Sequence, residues 1–428
     1  MSSYLLCSTP NYGHVAPMIA IGAHLTGAGH RVQLLTGSRF AAVAAAVGVE
    51  HVSLPAGADF DDREPASFLP DRDSHRGLAK ARYDIEQMFI RTIPAQHAAV
   101  AQLVGAGAPD AVLVDATFAG VLPMLVSGAP RPPVLGAGVL PLSQSSRDLA
   151  PYGMGLHPSA SPTGRVRNAA LNAVARRVLF RNTQALANRM LAQTGSGPLS
   201  DFVLDLSRLF DRFLQLSAAE FEYPRSDLAL NTRFVGPVLP AARPGPLPDW
   251  WPDLDGSRPI VHVTQGTMDN HDPTRLIGPT VQAVRDTEVL LVVSTGGIPV
   301  ERLGPLPSNV RAAEFLPYDQ LFPRLDLMVT NGGYGAVQYA LAHAVPLVAA
   351  GVTEDKPEVT ARIAHAGVGI NLKTGTPTPT ALRAAIRTVL DHDSYRGAAT
   401  RLAAASARYH ALDTIEQELS AAPRLRHR

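Results

Sequence analysis

Short apolar runs alternate with helix-like stretches along both halves of the chain. Apolar runs rich in β-branched residues are typical of buried strands, and the stretches between them repeat apolar residues with helical spacing. The predicted strands occupy residues 4–7, 31–35, 111–115 and 134–136 in the first half, and 260–264, 289–293, 325–330 and 346–350 in the second. This alternation predicts an α/β fold of parallel strands joined by helical crossovers.

A segment rich in proline and glycine separates the two halves. Residues 236–256 contain too many of these residues for a helix, so we expect a linker there. It divides the chain into an N-terminal domain over 1–235, a C-terminal domain over 257–405, and a helical tail over 406–428 that can cross back to the first domain. We expect two Rossmann-like domains with parallel sheets facing across a cleft. Ligands bind such sheets at the carboxyl ends of their strands.

The strand at 325–330 runs into a glycine-rich turn, Asn331-Gly-Gly-Tyr-Gly335. Glycines let the backbone approach a pyrophosphate, and the N–H groups at the start of the next helix stabilise its charge. The strand at 346–350 is followed by the cluster Glu354-Asp-Lys-Pro-Glu358, in which Asp355 can accept hydrogen bonds from sugar hydroxyls. Together the two features predict a site for a nucleotide diphospho-sugar.

A candidate base lies near the N-terminus. Gly13-His14 follows the first strand and precedes the helical stretch 18–26, and an imidazole at the mouth of a sheet can accept a proton near neutral pH. Asp115 ends another strand, where its carboxylate could bind Nδ1–H of His14 and stabilise the imidazolium. The alternatives are a bystander histidine and an aspartate that caps a helix.

Composition excludes several classes of function. The formal net charge is +1 over 428 residues, which gives no reason to expect nucleic-acid binding or electrostatic attachment to a membrane. The single cysteine, Cys7, excludes an internal disulfide framework and a multi-cysteine metal site. Without a signal-peptide pattern or an apolar run of about 18 residues, we expect a cytoplasmic protein with no membrane span. A peripheral membrane contact stays open.

These motifs resemble those of the family 1 inverting glycosyltransferases of the GT-B fold, especially bacterial members that use UDP- or dTDP-sugars on natural products or glycolipids. The resemblance covers both halves. In the first it rests on Gly13-His14 and Asp115. In the second it rests on Gln265-Gly-Thr267, Phe315-Leu-Pro-Tyr318 and the two C-terminal motifs described above.

The resemblance implies a role for each matched residue. His14 would be the general base and Asp115 would orient it. The nucleotide-sugar site would comprise Gly13, Thr267, Phe315, Tyr318, Asn331, Gly332, Gly333, Gly335, Glu354, Asp355 and Lys356. Phe315 falls where the family has an aromatic residue beneath the nucleobase, while Thr267 and the glycines would hold the diphosphate. No metal and no cofactor beyond the donor are implied.

The hydrophobic, hydroxyl-bearing acceptor is the least determined partner. Phe60, Phe68, Met88 and Phe118 could form an apolar wall for it, although ordinary core packing explains such residues as well. The first three fall within residues 57–98, a segment that together with 141–165 carries weak patterns favouring either a pocket wall or mobile loops.

Three positions depart from the family pattern. Asn331 stands where a histidine usually precedes the glycines, so the leaving group loses a cationic partner. Ala336 replaces a hydroxyl residue, and Lys356 replaces the glutamine that follows Asp355. These changes keep two alternatives open: a nucleotide-sugar-binding accessory protein without catalysis, and a nucleotide-sugar epimerase. A dinucleotide-dependent oxidoreductase is disfavoured because the first strand lacks the Gly-X-Gly-X-X-Gly turn.

Overall fold

The computed structural model describes residues 1–239, 246–266 and 272–422, and its first half is built on a parallel sheet. The strand order is β3-β2-β1-β4-β5-β6-β7. The strands are β1 (Ser3–Cys7), β2 (Arg31–Thr36), β3 (Glu50–Ser53), β4 (Ala111–Asp115), β5 (Val134–Gly138), β6 (Arg212–Gln215) and β7 (Thr232–Phe234). The strand order reverses between β1 and β4. The connections that follow these two neighbouring strands therefore run in opposite directions and leave a crevice at the carboxyl ends of the strands.

The second half carries a parallel sheet of the same design, in the order β10-β9-β8-β11-β12-β13. Its strands are β8 (Ile260–Thr264), β9 (Leu290–Ser294), β10 (Val310–Ala313), β11 (Leu327–Thr330), β12 (Leu347–Ala349) and β13 (Gly369–Asn371). Here the order reverses between β8 and β11. Each sheet therefore has one switch point, and the predicted base and the predicted phosphate turn follow directly from these strands.

Helices cover both sheets. The α-helices are α1 (Tyr12–Gly27), α2 (Ala41–Ala46), α3 (Pro65–Phe68), α4 (Gly77–Ile85), α5 (Ile93–Gly107), α6 (Leu122–Val126), α7 (Pro162–Val174), α8 (Arg181–Gln193), α9 (Ile277–Val284), α10 (Tyr318–Leu321), α11 (Tyr334–Ala342), α12 (Lys356–His365), α13 (Pro379–Asp391), α14 (Asp393–Ser406) and α15 (Ala411–Ala421). Wider π-type turns extend α4 over Glu86–Ile90 and α7 over Ala175–Leu179. Among the helices of the described residues, none is long and apolar enough to cross a bilayer.

The predicted α/β architecture of two parallel-sheet domains is confirmed. All eight predicted strands are present, and the pattern missed β3, β6, β7, β10 and β13. Four of these are short and only partly buried, so they lack the continuous apolar run of a central strand. The fifth, β6, is mostly buried but begins and ends with polar residues.

The last helix lies against the first domain. Ile415, Leu419 and Ala422 join the core formed by β1, β4 and β6, and the Tyr4 hydroxyl is 3.1 Å from Ser420 Oγ. The C-terminal helical region consists of two helices, α14 and α15, with a break before Ala411. That break lets the chain leave the second domain and return to the first.

Candidate active site

His14 and Asp115 meet at the switch point of the first sheet. Helix α1 begins at Tyr12, one residue after Asn11, whose side chain caps it by accepting a hydrogen bond from Gly13 N at 3.0 Å. His14 thus lies in the first turn of a helix, where the sequence predicted a loop. Its Nδ1 is 3.1 Å from Asp115 Oδ1, at the end of the neighbouring strand β4.

Asp115 is fully buried and fully hydrogen-bonded. Oδ2 accepts hydrogen bonds from Thr9 N at 2.6 Å and Ser8 Oγ at 3.1 Å, and Oδ1 accepts them from Thr117 N at 2.8 Å and Thr117 Oγ1 at 2.6 Å. Burial by itself raises the pKa of this carboxyl group. The charge and hydrogen bond of His14 and the bonds from Thr117 outweigh burial, so the pKa of Asp115 lies below its usual value.

The ionised Asp115 fixes the tautomer of His14. A carboxylate only accepts hydrogen bonds, so Nδ1 of His14 must carry the proton and Nε2 is left with its lone pair. Thr117, which carries no motif in the sequence, holds the pair together because its hydroxyl is also 3.0 Å from His14 Nδ1. The ring of Phe89 lies 6.3 Å from the imidazole, centroid to centroid. The result is an imidazole that is held in a fixed orientation beside an aromatic ring.

The glycine-rich turn forms a tight cradle at the switch point of the second sheet. Gly332 has a φ of +91°, and a Cβ on it would lie 2.8 Å from Thr360 Cγ2. A Cβ on Gly351, after β12, would lie 1.9 Å from the carbonyl oxygen of Asn331. Both positions require glycine because the two loops touch there. Gly333 caps α11, and Gly335 lies in that helix's first turn, so N–H groups face the cradle.

Asn331 joins the two halves of this cradle. Its Nδ2 donates a hydrogen bond to the Gln265 carbonyl, and Gln265 Oε1 accepts bonds from Leu276 N and Ile277 N at 3.1 and 3.0 Å. Gln265 thereby holds the loop after β8 against α9. Thr267, which the sequence assigned to the diphosphate, lies outside the described residues.

An open pocket occupies the cradle. Its walls include Asn331, Gly351, Lys356 and Arg275, the last of which the sequence analysis did not select. Arg275 follows a proline at the end of a short turn, a place that carries no motif. A Cβ on Gly375 would lie 3.4 Å from a terminal nitrogen of Arg275, so the guanidinium lies beside the loop that contains this glycine. Two cationic side chains therefore border the space predicted for the diphosphate.

The acidic cluster lies on the cleft, at the start of α12. Glu354 has a φ of +57°, and its carboxylate binds both Lys356 Nζ and, at 3.1 Å, Arg72 of the first domain. Removal from bulk water by itself raises the pKa of Glu354, but the charges of Lys356 and Arg72 bring it below its usual value. Lys356 is thus paired with Glu354 while still lining the cradle.

Asp355 has a different environment from Glu354. Desolvation in the cleft, with a smaller contribution from Glu354, raises its pKa from 3.8 to about 6, although Lys356 and His14 act in the opposite direction. The influence of His14 places the two residues on the same cleft. Because the folded-state pKa is raised, we expect the free energy of unfolding to fall as pH rises from 3.8 towards about 6. Such a destabilised carboxylate is typical of a binding site.

The two aromatic candidates of the second domain are placed differently. Phe315 is 55% exposed, and its ring lies beside Gly297, where a Cβ would be 3.2 Å from Phe315 Cζ. An exposed aromatic ring is a side chain on which a nucleobase can stack. Tyr318 is half-buried and directs its hydroxyl to Ser294 Oγ at 3.1 Å, so it packs beside the strand ends.

The acceptor-wall candidates divide into surface and core. Phe60 and Phe68 are half-buried and stack on each other with ring centroids 4.2 Å apart. Met88 is buried, and Phe118 is 1% exposed within the core of the first sheet. Phe118 therefore packs as an ordinary core residue and presents no open face. Phe89, next to Met88, is the aromatic residue that borders His14.

A buried ion-pair network ties α12 to the first domain. Arg362 is 1% exposed, and its guanidinium binds Glu222 at 2.9 Å and Glu358 at 2.8 Å. Glu358 also accepts hydrogen bonds from the N–H groups of Gly153 and Gly155, at 2.9 Å each. The loop before α7 is therefore fixed by the helix that begins beside Asp355.

We expect Arg362→Met to lower the free energy of unfolding by about 3–5 kcal/mol, because it leaves the buried carboxylate of Glu358 without its cation and Glu222 with Arg225 alone. Arg387→Met is the matched control: Arg387 also pairs with a carboxylate four residues away, Asp391, but both side chains are exposed. That exposed pair should contribute less than about 1 kcal/mol. Denaturant titration of both variants measures the difference, and equal losses would contradict a structural role for the buried network.

Comparison with known proteins identifies the family. Residues 279–420 match the family described as erythromycin biosynthesis protein CIII-like, C-terminal domain. The chain is 37% identical over 418 residues to 4'-demethylrebeccamycin synthase of Lentzea aerocolonigenes, covering 96% of this chain and 98% of that protein. The chain belongs to the family 1 glycosyltransferases.

Two further matches support membership in this family and its fold. UDP-glycosyltransferase 2 of Phaeomoniella chlamydospora is 37% identical over 430 residues, covering 96% of this chain and 93% of that protein. The crystal structure of the glycosyltransferase VinC in complex with DTDP has a TM-score of 0.69 at 21% identity and covers 99% of both chains. The predicted glycosyltransferase activity and GT-B fold are thereby confirmed.

Proposed function

We propose that this glycosyltransferase moves a sugar from a nucleotide diphosphate to a hydroxyl of a hydrophobic small molecule or glycolipid, with inversion at the anomeric carbon. The observation that carries the proposal is the His14–Asp115 pair at the end of the first sheet, facing Asp355 beside the cradle of the second. An oriented base on one side of a cleft and an anion cradle on the other match a single displacement.

The protein's part in the first half of the step is proton removal. Nε2 of His14 takes the proton of the acceptor hydroxyl as that oxygen attacks the anomeric carbon. The positive charge that forms on the imidazole is stabilised by Asp115, 3.1 Å from Nδ1. The bond between the anomeric carbon and the phosphate oxygen breaks on the opposite face, so the configuration inverts.

The second half of the step is stabilisation of the departing diphosphate. We assign this role to the N–H groups at the start of α11, with Arg275 and Lys356 supplying positive charge at the same cavity. These two cations would take the place of the histidine that Asn331 replaces. We propose that no metal takes part. Asp355 would accept hydrogen bonds from the donor sugar, and Phe315 would stack on the base.

The identity of the donor and acceptor is proposed from relatives and from the cleft. A UDP- or dTDP-sugar is the proposed donor because one relative is a UDP-glycosyltransferase and one structural neighbour was solved in complex with DTDP. Phe89 next to His14, and the stacked Phe60 and Phe68, favour an apolar acceptor. We also propose a cytoplasmic enzyme, because the chain's single cysteine is buried and no disulfide is used.

The proposal is tested by incubating the enzyme with a panel of UDP- and dTDP-sugars and hydrophobic alcohols and phenols, then measuring acceptor mass and released nucleotide diphosphate. Transfer to at least one acceptor, in equal amount with nucleotide release, is the expected result. Donor binding by calorimetry without transfer across the panel would instead support the accessory-protein alternative.

Arg275→Ala should weaken donor binding because it removes one of two cations at the cradle. A charge-assisted hydrogen bond contributes about 1.5–3 kcal/mol, so we expect the donor KM and the inhibition constant of the nucleotide diphosphate to rise by about tenfold or more. Arg285→Ala, on an exposed arginine after α9, is the control and should leave both constants unchanged. Equal constants for Arg275→Ala and wild type would remove Arg275 from the site.

Donor binding should also depend on pH through Asp355. The pKa of about 6 means that this carboxyl group is protonated below pH 6. In that form it is a poorer acceptor of hydrogen bonds from sugar hydroxyls. We expect the donor dissociation constant to rise by about tenfold per pH unit below 6 and to be flat above it. Asp355→Asn should bind more weakly at pH 8 and lose the pH dependence. A wild-type dissociation constant that does not change between pH 5 and 8 would contradict this role.

A further inference from the structure

One region of the first domain has a charge very different from that of the whole chain. Residues 149–200 contain six arginines and no aspartate or glutamate, whereas the full sequence has a formal net charge of +1. Helix α7, the π-type turn that extends it, and α8 lie within this region. The small net charge of the whole chain gives no reason to expect electrostatic attachment to a membrane, but binding to a surface depends on local charge.

The same region exposes aliphatic side chains in a stripe. Val166, Val174 and Val178 are 71%, 46% and 66% exposed, and Ala170 between them is exposed as well. The four positions are four residues apart, so they share one face of the helix and its extension. The buried contacts of this segment are made by other residues, such as Asn168 and Ala175, and the stripe contributes nothing to the core.

The arginines that flank this stripe differ in their partners. Arg165 pairs with Asp148 at 2.9 Å and Arg176 with Asp205 at 3.3 Å, so these two are neutralised within the fold. Arg177 and Arg181 are exposed, and no carboxylate of the described residues lies within ion-pair distance of either. The α7 face, defined here as Val166, Ala170, Val174, Arg177, Val178 and Arg181, is therefore apolar along its middle and cationic at one end.

An ordinary solvated helix face mixes charges of both signs, and this one does not. Exposed aliphatic residues beside unpaired arginines are typical of helices that lie in the interface of an anionic bilayer. The α7 face also follows directly on the loop whose Gly153 and Gly155 are held by Glu358 beside the cleft. A membrane on this face would therefore lie near the mouth of the acceptor side.

We propose that the α7 face binds the surface of an anionic lipid bilayer, with Val166, Val174 and Val178 entering the interface and Arg177 and Arg181 contacting lipid phosphates. The contact is peripheral and goes beyond the sugar-transfer reaction, since it needs neither donor nor acceptor. Binding should weaken as salt concentration rises, because the two arginine contacts are exposed.

The test is co-sedimentation of the full chain with vesicles of phosphatidylcholine alone or mixed with phosphatidylglycerol. We expect binding to the mixed vesicles only. Arg177→Glu and Val178→Asp should each lower the partition coefficient by on the order of tenfold. The matched controls are Arg285→Glu, an exposed arginine of the second domain, and Leu230→Asp, a leucine that is 98% exposed away from α7. Both controls should bind as wild type does.

Three outcomes would overturn the proposal. One is the absence of binding to either vesicle type at low salt, and another is an equal loss in the α7 variants and their controls. The third is binding to soluble polyglutamate with no binding to anionic vesicles, which would make the α7 face a surface for an acidic protein. Because the readout is vesicle binding, a catalytically inactive protein would still give a clear answer.

Discussion

His14→Ala should lower kcat/KM for sugar transfer by about 10²- to 10⁴-fold, the range that a positioned general base contributes. The loss is expected in kcat, because the histidine acts on the acceptor hydroxyl and the cradle for the diphosphate lies across the cleft. Affinity for the nucleotide diphosphate, measured by calorimetry, should therefore stay within about twofold of wild type.

His24→Ala is the matched control for this variant. His24 lies on the same helix, α1. Its Nε2 is 2.8 Å from Glu416 of the C-terminal helix, and we assign it no role in the reaction. It should retain transfer activity even if it loses some stability. If His14→Ala transferred sugar as fast as His24→Ala, the base would have to be another group.

Asp115→Asn should have the second largest effect, a loss in kcat of roughly 10²- to 10⁴-fold, because a triad-like carboxylate acts through the tautomer that it fixes. Both carboxylate oxygens accept from backbone N–H groups, Oδ2 from Thr9 and Oδ1 from Thr117. An asparagine must turn its NH₂ group towards one of these donors. Turned towards His14, it would also favour the wrong tautomer.

Asp110→Asn controls for the change of charge, since Asp110 directly precedes the same strand and its carboxylate accepts a hydrogen bond from Ser3 N at 2.9 Å. Activity should be unaffected in that variant. The thermal midpoint of Asp115→Asn must also be measured, because a buried hydrogen-bonding conflict costs stability. A fully folded Asp115→Asn enzyme with wild-type kcat would contradict an orienting role.

The sequence predicted the parts of this enzyme that are local in the chain. Central strands such as β4 and β11 are continuous apolar runs, and the turn around Gly332 needs glycines that are visible as a motif. Strands β3 and β7 were not predicted because they are only three or four residues long and none of their residues is fully buried, so they carry no continuous apolar run. The position of His14 within α1 was not predicted, because Asn11 caps the helix earlier in the chain than the apolar pattern suggests.

The residues that the sequence could not reveal act through contacts between distant segments. Thr117 supports His14 across 103 positions of the chain, and Arg275 reaches a cavity whose other walls follow β11 and β12. Glu358 holds a loop more than 200 residues away. None of these contacts produces a periodic pattern or a motif in the sequence, because each depends on how two distant segments meet in space.

In the cradle, Asn331 stands where the family usually has a histidine. Asn331 uses its amide to join the loops after β8 and β11. Positive charge for the diphosphate is then proposed to come from Arg275 and Lys356, of which Lys356 is held by Glu354 and, through it, by Arg72 of the first domain. Because Arg72 belongs to the first domain, this arrangement would couple donor binding to the distance between the two domains.

The central claim is that His14 activates an acceptor hydroxyl for inverting sugar transfer. Its most direct test is proton NMR of the glycoside formed from an α-linked nucleotide diphospho-sugar, with wild type and His14→Ala compared side by side. The account predicts a β-linked product from wild type, one nucleotide diphosphate released per glycoside, and almost no product from the variant. An α-linked product, or equal product from both proteins, would contradict it.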